Sequence, residues 1–143
     1  MKSQYEKKRL ITFDRIKIKS NYKYLLNTKV KFNEMFHSRS GEKIGIFYSS
    51  KDDINIPYNL YIAVSYIKQT LTLEFSSKIL KEKYPDLISR DTIKECLTNI
   101  NQLHICDIDV DSILSNGAIT SVDVTYDANL ILSDNLLNIL NSQ

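Results

Sequence analysis

Hydrophobic and polar residues alternate along the first half of the chain and recur at three- and four-residue spacing only later, the order of strands followed by helices. Between residues 58 and 80 two period-2 runs face each other across Lys68-Gln69. With the turn centred there, Ile62, Val64 and Tyr66 fall opposite Phe75, Leu73 and Leu71, so both strands bury one face in one register. The other face carries Ala63, Ser65, Thr70, Thr72 and Glu74. Lys68-Gln69 lacks the Asn-Gly or glycine chemistry of a tight two-residue turn, so a four-residue connection over 67–70 is expected.

Residues 12–20 alternate as well, with Phe13, Ile16 and Ile18 toward one side, Arg15, Lys17 and Lys19 toward the other, and one slip near Asp14. That is a strand with a cationic face. Residues 21–36 follow neither period in Leu25, Leu26, Val30 and Phe32, and a short helix ending near Phe36 is expected. A loop at 38–42 and a second strand over 43–48 come next, and the polar stretch 49–55 with Pro57 leads to the hairpin.

Beyond the hairpin, Ser76 or Ser77 caps a short helix through Lys83, which Tyr84-Pro85 should end because proline disfavours helical geometry in the residue before it. Ser89 is placed to cap a second helix, whose Ile93, Cys96, Leu97 and Ile100 share one stripe. Asp107 or Asp109 caps a third, carrying Val110, Ile113 and Leu114 and stopping at Asn116-Gly117. Residues 118–126 return as a strand, with Val122, Val124 and Tyr126 on one face and Ser121, Asp123, Thr125 and Asp127 on the other. A last amphipathic segment starts at Ser133 with Leu136, Leu137 and Leu140. These elements predict an α+β fold: a largely antiparallel sheet built around a central hairpin, with three to four helices covering one face. Residues 1–10 read as a flexible basic arm and 11–143 as a single domain.

The 143 residues, 43% hydrophobic and 25% charged, suffice for one domain with a real core. No apolar run approaches the roughly 18–20 residues needed to span a bilayer, and the polar first nine residues lack a signal-peptide core, so a cytoplasmic protein is expected. Cys96 and Cys106 occupy apolar positions without metal-ligand spacing, which predicts two buried thiols.

Charge is segregated along the chain. Residues 1–43 hold 12 Lys/Arg against 4 Asp/Glu, whereas residues 44–143 hold 7 against 13. A basic leading third interspersed with aromatic residues offers ammonium groups to phosphates and rings to bases. Lys7, Lys8 and Arg9 of the arm and Arg15, Lys17 and Lys19 of the first strand are the candidate phosphate ligands, and Tyr22 and Tyr24 the candidate stacking rings. The plainer reading is a solvated face whose aromatics belong to the core.

Catalytic vocabulary is sparse. His37 and His104, the two histidines, are far apart, and His104 beside Leu103 and Ile105 reads as a half-buried ring. None of the three glycines opens a helix as a phosphate-cradling loop requires, which argues against nucleotide hydrolysis. Glu74 and Asp123 lie on polar strand faces and would hold a divalent cation, Mg2+ or Mn2+, if their strands were neighbours.

From about Ile11 to Asp127 the chain resembles the N-terminal region of phage and plasmid replication initiators that start rolling-circle DNA synthesis, of the filamentous-phage type. The matching pieces are Phe75-Ser76-Ser77-Lys78-Ile79-Leu80, the helix at 92–101, the stretch 107–114 and the strand Val122-Asp123-Val124-Thr125. The resemblance implies a protein that nicks one strand at an origin, bonds to it through a tyrosine and uses a divalent metal, with Asp123 the residue that carries over. Departing from that pattern, the chain has neither a paired-histidine metal motif nor a Tyr-x-x-Lys helix, and a truncated or minimal version is expected. The expected function is a DNA-binding module in phage or mobile-element replication, its partner single-stranded DNA or an origin duplex. The alternative is a non-catalytic protein-interaction or structural domain.

Overall fold

The structure, a computed structural model, describes residues 12–124. Its frame is a six-stranded antiparallel sheet of β1 (Phe13–Asn21), β3 (Asn33–Phe36), β4 (Lys43–Ser49), β5 (Leu60–Ser65), β6 (Thr70–Ser76) and β8 (Ala118–Val124), in the order β3-β4-β5-β6-β1-β8. Two short strands, β2 (Leu25–Thr28) and β7 (Cys106–Ile108), form a separate ribbon. The helices are α1 (Ile93–Gln102) and α2 (Val110–Asn116), with 3-10 turns at Tyr22–Tyr24, Ser50–Asp52 and Ser77–Asp86. The α+β class and the central β5–β6 hairpin are as the alternation predicts. Among the described residues no helix is long and apolar enough to cross a membrane.

The strands form where every second side chain is apolar. β6 alternates strictly, Leu71, Leu73 and Phe75 being buried and Thr70, Thr72, Glu74 and Ser76 partly exposed. β1 buries Phe13, Ile16 and Ile18, and the slip at Asp14 is a bulge: Phe13 pairs with Val124 but Arg15 with Asp123, leaving Asp14 as the extra residue. Ile16, Ile18, Leu60, Ile62, Val64 and the inner residues of β6 join Ile79, Leu80, Ile93, Cys96, Leu97, Ile100, Cys106, Ile108 and Ile113 in one buried cluster. The helices and the ribbon therefore pack on one side of the sheet. Gly117, at the end of α2, lies so close to β1 that an added Cβ would stand 2.9 Å from Ile18 Cγ2.

The hairpin differs from expectation in its register. Leu60, Ile62 and Val64 face Phe75, Leu73 and Leu71, and the connection is 66–69 rather than 67–70. Tyr66 is therefore in the turn and exposed, not opposite Leu71. The Lys68 amide donates to Ser65 Oγ within the turn, while the Tyr66 amide donates to the Ile44 carbonyl of β4. Because the slide is two residues, Ile62, Val64, Leu71, Leu73 and Phe75 still point inward, and Leu60 takes the place in the pairing that Tyr66 leaves.

The short helix expected to end near Phe36 is absent: within 21–36 the one helical turn is the 3-10 turn Tyr22–Tyr24, and Phe36 ends a strand. Leu25–Thr28 pairs with β7 and Asn33–Phe36 with β4, and the reversal between them is anchored by Phe32, buried against the Tyr48 ring with centroids 5.9 Å apart. Two strands in different sheets explain why one window fitted neither period. The segment after β6 is also not an α-helix: two 3-10 turns meet at Lys81 (φ 60°) and run past Tyr84-Pro85 to Asp86, Pro85 being tolerated because so short a turn needs few amide donors. Ahead of α1, Thr92 rather than Ser89 holds the N-cap position, while Ser89 Oγ accepts from the Asp91 amide and its carbonyl from the Ile93 amide. Asp109 caps α2, accepting from the Ser112 amide.

His104 is exposed, not half-buried: it follows α1 in the left-handed region at φ 62°, which turns its ring outward while Ile105 and Cys106 enter the core. This is the position where helices favour glycine. His104→Gly should raise unfolding stability by about 0.5–1 kcal/mol in a urea titration, the relief of side-chain strain exceeding the entropy that glycine adds.

Candidate nucleic-acid interface

The face of the sheet opposite the helices is built by strand register alone. Across it run two rows of side chains: Phe47, Ala63, Thr72 and Lys19 in one, and Ser49, Tyr61, Glu74 and Lys17 in the other. Arg15 stands opposite Ser76 at the next position along β1. Arg15 and Lys19 are exposed and Lys17 half-buried, so the three cations that the alternation grouped together do share one face.

Aromatic rings join them there. Phe47 and Tyr61, both half-buried, meet with ring centroids 6.1 Å apart at an interplanar angle of 33°. Ala63, directly opposite Phe47, is small and only 8% exposed, and Gly45, where β4 lies under Met35, is buried. The result is an aromatic floor on β4 and β5 in the same sheet face as a cationic strand. On β4, β5, β6 and β1 the acidic residue of this face is Glu74, whose Oε2 lies 3.8 Å from Arg15 Nη1, and on the other side of β1 Asp123 of β8 occupies the register position opposite Arg15.

These rings are not the ones the sequence nominates. Tyr22 and Tyr24 lie in a 3-10 turn, partly buried against the core, and the Tyr24 hydroxyl accepts from Asn116 Nδ2 at 3.0 Å. Phe47 and Tyr61 were legible in principle, since each occupies an outward position of a period-2 run whose inward positions are Ile46, Tyr48, Leu60 and Ile62. Lys7, Lys8 and Arg9 lie outside the described residues. Not every cation of the leading third is on the sheet face: Lys29 pairs with Asp107 at 3.3 Å and Lys43 with Glu34 at 3.0 Å. The Glu34 contact holds the Lys43 ammonium above its usual pKa, and hydrogen bonds from Asn27 and Lys29 hold Asp107 below the usual carboxylate value.

The strands of Glu74 and Asp123 are not neighbours. β1 runs between β6 and β8, with Lys17 opposite Glu74 and Arg15 opposite Asp123. Two strand spacings and a two-residue stagger put their Cα atoms about 12 Å apart. Among the described residues no group of three or more His, Cys, Asp or Glu is gathered to hold a metal ion. His37 has a local task, its Nδ1 accepting from the Arg39 and Ser40 amides in the β3–β4 turn. Cys96 and Cys106 are buried free thiols, and burial pushes each up to about 12, so both stay protonated and poorly nucleophilic near neutral pH.

No family model, curated protein or solved structure matches the chain.

Proposed function

We propose that this chain is a DNA-binding module that engages DNA with the outer face of its sheet, acting in phage or mobile-element DNA replication as the resemblance to rolling-circle initiators implies. The observation that carries the binding is the meeting of Arg15, Lys17 and Lys19 with the Phe47–Tyr61 ring pair on one side of the sheet, opposite the helical layer. Cations supply phosphate attraction and rings supply stacking surface, the two elements of sequence-tolerant nucleic-acid binding. The replication setting rests on the resemblance alone.

Binding of this kind releases counterions. Fluorescence anisotropy of a labelled oligonucleotide, titrated with protein at several salt concentrations, should give a plot of log affinity against log salt with slope about −2 to −3, as expected for three to four neutralised phosphates. A flat plot, or no binding at about 50 mM salt, where this electrostatic term is strong, would overturn the reading.

A second reading, a protein-interaction domain of a mobile element, is favoured by the far end of the sheet. There the edge strand β3 pairs with β4 alone among the described strands, and Phe36 and Ile67 are 55% and 67% exposed. An unpaired strand edge beside apolar side chains is suited to accept a strand from a partner.

A further inference from the structure

We infer that the partner of the outer face is a single-stranded nucleic acid whose backbone runs along β1 and whose bases lie across the sheet toward Tyr61 and Phe47; this rests on the nucleic-acid reading above and names its substrate class. The sites on β1 set the direction. Lys17 and Lys19 are two residues apart on one strand face, so their Cα atoms are separated by about 7 Å, a repeat of the order of successive phosphates in an extended single strand. The cations continue beyond the strand. Asn21 ends β1 and caps the 3-10 turn holding Lys23, whose neighbour Tyr22 donates its amide to the Gln69 carbonyl of the β5–β6 turn. That hydrogen bond brings together the two turns bearing Lys23 and Lys68, both exposed, at the end of the row begun by Lys17 and Lys19.

The rings set what lies beside that row. Tyr61 sits two strands from Lys17, across Glu74, and Phe47 three strands from Lys19, across Ala63 and Thr72. At strand spacing these are gaps of about 10 and 14 Å, which an extended lysine and one nucleotide bridge together. A base reaches a ring only if it is unpaired and turned out from its own stack. A duplex keeps its bases paired inside, and a broad sheet face, unlike a helix or a two-stranded ribbon, does not enter the major groove. Duplex can therefore use the cations of this face but not its aromatic floor.

Three probes separate these contributions in one anisotropy assay at fixed low salt: a twelve-nucleotide oligothymidine, a duplex of the same length, and a twelve-unit strand of abasic sites with the same phosphates. Oligothymidine should bind about 10-fold or more tighter than the abasic strand, as loss of stacking predicts, and more tightly than the duplex. Phe47→Leu and Tyr61→Leu keep an apolar side chain over Ala63 while removing the π face. Each should weaken oligothymidine by about 10-fold and leave abasic and duplex binding unchanged. The abasic comparison uses the unaltered protein, so it decides the matter even where a leucine variant folds poorly. Equal affinity for oligothymidine and the abasic strand, or a preference for duplex, would overturn this inference while leaving DNA binding intact. Failure of all three probes to bind would instead bring down the function reading, and this inference with it.

Discussion

Lys17→Gln combined with Lys19→Glu should reduce oligonucleotide affinity by about 30- to 100-fold at low salt, with the unfolding midpoint nearly unchanged. The change removes one cation and reverses another, a difference of three charges on a strand face where each phosphate contact is worth on the order of 1 kcal/mol. Glutamine is chosen at position 17 because Lys17 stands directly opposite Glu74, and two carboxylates in that cross-strand pair would repel each other. Lys19 faces Thr72 and is exposed, so a glutamate there costs the fold little. Anisotropy titrations beside urea melts measure both quantities. Unchanged affinity would mean that the β1 cations are an ordinary solvated face.

Gly45→Val should destabilise the domain by at least about 3 kcal/mol, the largest stability effect expected of a single change outside the buried cluster. Gly45 lies in β4 opposite Ser65, and a Cβ built on it runs into the Val64 carbonyl oxygen and comes within 2.7 Å of the Met35 terminal methyl. The methionine can swing aside. The Val64 carbonyl cannot, because β5 is held in the centre of the sheet by β4 on one side and β6 on the other. Relief requires β4 to lift away, which would also tilt Phe47 off the floor that it shares with Tyr61. Urea denaturation monitored by circular dichroism gives the loss of stability, and a midpoint near that of the unaltered protein would show that β4 has more room than its packing implies.

Much of this arrangement is legible in the alternation of apolar and polar residues along the chain. Strict alternation in β6 and the slip at Asp14 foretold the inner face and the β1 bulge, because period 2 is a direct consequence of strand geometry. The register of the central hairpin was not readable to the residue: Lys68-Gln69 specifies no turn type, and a slide of two keeps the inward parity of both strands, changing only which residue, Tyr66, falls into the turn. The β2–β7 ribbon escaped notice because a three-residue strand such as Cys106–Ile108 is too short to show a period, and it is held by tertiary partners, among them the Asn101 side chain, which both donates to the Ile108 carbonyl and accepts from its amide. The site divides the same way. Arg15, Lys17 and Lys19 announced themselves by sharing one side of one strand, whereas Phe47 and Tyr61 are brought beside them only by the order β4-β5-β6-β1, which joins segments distant in sequence. Glu74 and Asp123, which share a polar parity in sequence, are kept on opposite sides of β1 by that same order.

The most direct test of where the nucleic acid sits is an amide NMR titration of the whole chain with the twelve-nucleotide oligothymidine. The account predicts the largest shift changes at Lys17, Lys19, Tyr61, Thr72 and Phe47, with smaller ones at Lys23 and Lys68 and little change along α1. Changes confined to β3, Phe36 and Ile67, or spread evenly over the described residues, would contradict it.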